Sequence, residues 1–261
     1  MRSSAAALLA ALLAGCASAP PEEPLLWSDP LVRSLTREVG EVVEVARFSR
    51  TKLGEVGEPW EPYLIVRGNH PTGYRVVERD GAAVLEALAE RGGSALHRKI
   101  RLDPYRHPLI EWRWQVPPRE PGASPFSEAA RLSAMARVSI AFHGDEQKLD
   151  VVDRAHLRLA KVLSPNGLPY ATLVYVWLRN APAGTVLVSP YSDRVRLFVV
   201  ESGEERAGQW IDMRRDVVAD YRHVFGEDPG DIVAVGVMTD SGDDGSIRRA
   251  FYGDITFSSG E

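Results

Sequence analysis

The sequence is poor in cysteine, in metal-ligand spacings and in long apolar runs. Cys16 is the only cysteine among 261 residues, so no disulfide framework holds this fold. The six histidines follow no metal-binding spacing, and HExxH is absent. A GxSxG elbow and a glycine-rich phosphate loop are also missing. Charge of one sign never accumulates: the formal net charge is -5, with both signs scattered and no basic block. That argues against nucleic acid as a partner and against a polybasic membrane patch. No internal repeat is visible, and no apolar run reaches the roughly 20 residues of a spanning helix.

What is present begins at the N-terminus. Arg2 gives a short positive region, residues 5–13 an apolar stretch, and Leu13-Ala14-Gly15-Cys16 resembles a lipobox. This has the shape of a secretory signal peptide over residues 1–15. Cys16 is then the expected lipidation site, and acylation removes a thiol that would otherwise stand exposed. Acyl chains contribute about 0.8 kcal/mol per buried methylene, so several together anchor stably. Ala17 follows the cysteine where inner-membrane retention favours Asp, which by resemblance to Gram-negative lipoproteins indicates the outer membrane. Residues 16–37 read as the lipidated terminus and a proline-rich tether, and residues 38–261 as one β-sandwich domain.

Alternation dominates that domain. Ile110, Trp112, Trp114 and Val116 share one face of a strand, with Glu111, Arg113 and Gln115 on the other. Val138 to Phe142, Val195 to Val199 and Phe251 to Phe257 repeat the pattern. Tyr170 to Trp177 and Ile232 to Met238 are continuously apolar, as central strands covered on both faces are. Further strands are expected at residues 42–48, 63–67, 74–78 and, against its helical composition, 82–90. Two helices interrupt them. One carries Leu149, Val152, His156, Leu159 and Leu163 on its apolar face; the other, capped by Asp212, carries Val217 to Phe225 and stops at Gly226. The expectation is an all-β, jelly-roll-like antiparallel β-sandwich with two or three accessory helices.

Several motifs in one order carry a resemblance. They are Trp112-Arg113-Trp114, Tyr175-Val176-Trp177, Trp210 with Arg214 to Val217, Asp220-Tyr221, Phe225-Gly226, Met238-Thr239-Asp240 and Tyr252-Gly253-Asp254-Ile255. From Trp60 to Phe257 the chain resembles the bacterial domain-of-unknown-function family DUF3047. The family pattern is similar to the jelly-roll sandwiches of carbohydrate-binding and galactose-binding-like modules, an analogy of fold. Two positions depart from it: Ser133-Ala134-Met135 replaces an expected acidic pair, and Gly242 an expected Asp.

Candidate chemistry is sparse. Asp240, Asp243 and Asp244 on a glycine-rich loop can offer oxygen ligands to calcium, but Gly242 and Phe251 break the EF-hand pattern. An ordinary β-turn is the favoured account of the loop, and no other cofactor is expected. Trp112 and Trp114 lie on the apolar face and are expected in the core. Arg113, Tyr175, Trp177 and Asp240 are the candidate ligand contacts, with packing or strand pairing the competing explanation for each. His143 and Asp145 follow a strand, where either a catalytic pair or a polar turn fits.

The leading expectation is a non-catalytic binding lipoprotein in the outer membrane, its partner an envelope glycan or another envelope component. One rival is a periplasmic polysaccharide hydrolase or lyase, which requires Arg113, Tyr175 or Asp240 to converge with a second ionisable group. A third is a structural lipoprotein that docks a protein partner through an exposed apolar patch.

Overall fold

A computed structural model describes residues 37–39, 42–57, 59–63, 70–90, 92–118, 134–152, 154–155, 169–190, 192–241 and 247–260. Sheet A contains β1 (Arg37–Val39), β2 (Val42–Ala46), β4 (Gly73–Arg79), β5 (Ala82–Glu90), β7 (Leu109–Gln115), β12 (Ile211–Asp216) and β14 (Ile247–Ser258). Sheet B contains β3 (Glu61–Tyr63), β6 (Gly93–Leu102), β8 (Ala136–Phe142), β9 (Ala171–Leu178), β10 (Val186–Ser189), β11 (Ser192–Ser202) and β13 (Ile232–Asp240).

Eight of these strands form the frame, in the orders β5-β14-β7-β12 and β6-β13-β8-β9. Along the chain, β5, β7, β12 and β14 fall in sheet A, and β6, β8, β9 and β13 in sheet B. That alternation between sheets is the double Greek key of a jelly roll. The expected sandwich is therefore present. One pairing departs from the antiparallel expectation: β11 runs parallel to β9, extending sheet B beyond its frame. A parallel neighbour needs a crossover, and here the β10 hairpin arm supplies the return.

Alternation succeeds where one face is inward and apolar. Ile110, Trp112 and Trp114 of β7 meet Leu173, Tyr175 and Trp177 of β9 in the main core. Trp112 lies against Tyr175 at 5.1 Å between centroids with an interplanar angle of 20°, and Trp114 is 6.1 Å from Trp177. Burying an aromatic of this kind removes roughly 150–250 Å2 from water, about 4–6 kcal/mol at 25 cal/mol per Å2. Alternation misses β6 because Arg98, at an inward position between Leu96 and Ile100, is buried and donates to the Val45 carbonyl. It misses β12 because four of its six residues are charged.

Helix α1 (Val217–Phe225) closes the flank where sheet B outreaches sheet A. Its cap is Asp216, whose carboxylate accepts from the Val218 and Ala219 amides; Asp212, the expected cap, is held extended in β12 by pairing with β7. Gly226 ends the helix in the left-handed region at φ 73°. Tyr221 packs on Phe142 at 4.6 Å. Asp220 accepts from Tyr175 Oη at 2.8 Å and from Arg215 Nε at 2.8 Å. Burial, and then the Asp220 carboxylate, push the Tyr175 hydroxyl well above its ordinary pKa, so it stays a donor. Of the other expected helix, residues 151–152 and 154–155 are helical, Leu149 is buried and Val152 is exposed. His156, Leu159 and Leu163 lie outside the described residues.

Candidate binding face on sheet A

The outer side of sheet A is built from the polar positions of its strands. Arg113 of β7 faces Asp212 across the β12 pairing, and Glu111 faces Arg214. On the other side of β7 the register with β14 shifts between Tyr252 and Ile255. Gly253 and Asp254 occupy that bulge, which re-aims a strand locally. A Cβ at Gly253 would stand 2.5 Å from Arg113 Cγ, so the bare glycine is what lets the arginine lie across β14. The Arg113 guanidinium then rests 4.7 Å from the centre of the Trp210 ring.

Trp210 is itself positioned. Its Nε1 donates to Asp80 Oδ2 at 2.9 Å. Asp80 and Gly81 form the tip of the β4–β5 hairpin with φ of 52° and 78°, the positive pair that a two-residue type I′ turn requires. Gln115 Nε2 donates to the Gly208 carbonyl at 3.0 Å, tying down the loop that leads into Trp210. Opposite, Asp254 accepts from the Ser49 amide at 2.8 Å and from the Ser49 hydroxyl.

Arg113, Gly253, Asp254 and Ser49 line an open depression of ≈ 490 Å3, together with Glu111, Asp212, Arg214 and Thr256. Glu111 and Arg214 are 3.4 Å apart and neutralise each other. Among the described residues, neither the Arg113 nor the Asp212 side chain has a hydrogen bond or an ion pair. The depression therefore presents an unspent guanidinium fork beside two carboxylates, on a rigid sheet. Such a set donates to and accepts from one ligand without reorganising.

The ligand contacts expected from sequence scatter instead of converging. Tyr175 and Trp177 are 0% exposed in the core, which takes their aromatic faces away from any surface. Asp240 lies on sheet B, 9% exposed, in an ion pair of 2.5 Å with Arg137. Asp243 and Asp244 fall outside the described residues, among which no three metal-ligating side chains stand together. Of the expected contacts, Arg113 alone belongs to the depression. Trp210, Asp212, Asp254 and Ser49 are not singled out as ligand contacts by sequence, although Trp210 and Asp254 carry the family resemblance. The signal that could have found Trp210 is an isolated aromatic at the end of a polar, glycine-rich segment.

A second depression, of ≈ 1020 Å3, lies by His143, Asp145, Lys148, Tyr170 and Glu227. Its acids are occupied. Asp145 caps a short turn by accepting from the Gln147 amide at 2.9 Å. Glu227 accepts from Tyr221 Oη at 2.9 Å and Tyr170 Oη at 3.2 Å, and pairs with Arg194. Burial opposes ionisation of Glu227, but these partners outweigh it and hold its carboxyl below its ordinary pKa. The cluster clamps α1 to β11.

Fold and face together define a jelly-roll β-sandwich with one open polar side. The chain belongs to the family described as "Protein of unknown function (DUF3047)", whose family model matches residues 58–256. No curated protein matches it in sequence. Among solved structures, the Emp47p carbohydrate recognition domain is 13% identical, with 84% of this chain and 95% of that one covered and a TM-score of 0.41. A carbohydrate-binding module that recognises mannan, TmCBM27, is 10% identical, with 85% and 100% covered and a TM-score of 0.32. Likenesses this loose say nothing about what this chain binds.

Proposed function

We propose that this chain is a non-catalytic binding protein that holds an envelope glycan on the outer face of sheet A. One observation carries the reading: Arg113, seated between Trp210 and Gly253 in an open depression beside Asp212 and Asp254, has no hydrogen-bond acceptor for its guanidinium N–H groups among the described residues. A guanidinium costs little to hold there, because the indole face and the strand below fix it before any ligand arrives. Hydroxyl-rich ligands match the set, since each hydroxyl both donates and accepts. Arg113→Ala removes the donor fork and leaves the core untouched. Polysaccharide retention measured by affinity electrophoresis then falls by about 10- to 100-fold, the usual worth of hydrogen bonds to a charged group. Unchanged retention would sink the assignment of this face.

Anchoring in the outer membrane through Cys16, with residues 16–37 as the tether, belongs to the same proposal and rests on the lipobox-like Leu13-Ala14-Gly15-Cys16. Cells fed a radioactive fatty acid should label the natural chain and leave Cys16→Ser unlabelled, since the substitution removes the acylated thiol. A natural chain that takes up no label removes the lipid from the account.

A further inference from the structure

We infer that the ligand of the sheet A face is a neutral glycan with vicinal hydroxyls, and not an acidic polysaccharide; this rests on the function proposed above. The first reason is the charge of the depression. Its ionisable lining is Arg113, Arg214, Glu111, Asp212 and Asp254, two cations against three anions. With Arg214 and Glu111 paired, one guanidinium faces two carboxylates. A uronate, sulfate or phosphate drawn to Arg113 meets Asp212 directly across the strand pair and Asp254 on the adjoining bulge. Neither carboxylate can donate a hydrogen bond to it.

The second reason is that, among the described residues, no row of free cations continues along the face. A repeating polyanion needs several, spaced along its chain. Arg75 and Arg249 both bind Glu86, at 2.8 Å and 3.2 Å. Arg79 lies 3.9 Å above the Phe251 ring and donates to Gln115. These arginines are committed to holding sheet A together.

The third reason concerns geometry. Neighbouring hydroxyls on a sugar ring can accept from the guanidinium on one side and donate to a carboxylate on the other. The register places Arg113 and Asp212 opposite each other on the same face, as that bridging requires. Trp210 has one ring face covered by Arg113 and its Nε1 used by Asp80. The indole therefore holds the arginine, and hydrogen bonding leads the recognition.

A single substitution separates the two ligand classes by sign. Asp212→Asn removes a negative charge from an exposed side chain that has no partner among the described residues. The full-length protein and this variant are run by affinity electrophoresis against neutral polymers (mannan, galactan, xylan) and acidic ones (polygalacturonate, alginate). The expected result is retention by a neutral polymer, weakened about fivefold in Asp212→Asn as one charged acceptor is lost. That retention should also hold steady between about 50 and 500 mM salt. Retention by acidic polymers alone, strengthened in Asp212→Asn and lost in salt, overturns the inference while leaving the binding face in place. Neutral retention that Asp212→Asn leaves unchanged overturns it as well, because the carboxylate then takes no part. If no polymer is retained, the proposed function itself falls.

Discussion

The two sheets share one core but treat their outer faces in opposite ways. On sheet B, Val174, Val176 and Leu178 alternate with the core-facing Leu173, Tyr175 and Trp177, so they point away from the core. They are nevertheless buried, in a second apolar cluster with Ala134, Leu197 and Val199. Further across, Gly236 leaves no room for a Cβ, which would stand 2.7 Å from Ser139 Oγ, and Arg137 and Asp240 are paired. On sheet A the corresponding outward positions are Glu111, Arg113, Asp212 and Arg214, around an open depression. A sandwich needs only its inner faces for cohesion. The closed face adds stability, and the open one is free to carry polar groups whose partners come from outside.

That difference predicts that damage to the two faces separates into two kinds of readout. The largest effect belongs to sheet B. Val176 is 0% exposed, and Val176→Asp places a carboxylate without a partner in a closed apolar layer. The loss is about 3–5 kcal/mol, seen as a lowered denaturant midpoint or as failure to accumulate folded protein. The milder Val176→Ala should cost about 2 kcal/mol and leave glycan retention by the folded protein intact. If Val176→Ala abolished retention without lowering the midpoint, sheet B would be the binding face and the comparison would be reversed.

The same contrast explains what is legible in the sequence. Strands with one wet face announce themselves by period: β7 is read correctly from Trp112 and Trp114, and β14 is found as a strand, but its bulge at Gly253 and Asp254 breaks the period, so Phe251 lies on the outer face while Tyr252, Ile255 and Phe257 point into the core. Strands with two dry faces announce themselves by continuity, as β9 and β13 do. Strands whose inward positions include a charge, such as β6 with Arg98, are invisible to either rule. The site is harder, because it is an assembly of residues far apart in the chain. Ser49, Asp80, Arg113, Trp210 and Asp254 come from five separate segments and meet through strand register and a hairpin tip. Arg113 is legible because its outward position follows from the alternation of β7 alone. Tyr175 and Trp177 mislead for a physical reason: a strand covered on both sides gives no sign of which aromatic reaches solvent.

Gly253 gives the finer test, because it sits on the open face yet acts by excluded volume. Its φ is not in the left-handed region, so its value lies in the missing side chain and not in backbone freedom. Gly253→Ala would bring a methyl to 2.5 Å from Arg113 Cγ, 2.9 Å from Nε and 3.2 Å from Cδ. The arginine can swing away, since it is half-buried and has no ion pair among the described residues to give up. The expected stability cost is therefore about 1 kcal/mol, at the low end for overpacking. Retention should fall by about tenfold, approaching Arg113→Ala, because the guanidinium leaves the Trp210 face. Combining the two substitutions should add nothing further, since both remove the same group. A double variant weaker than either single one would mean that Gly253 contributes to the ligand by its own backbone, and that Arg113 is only part of the grip.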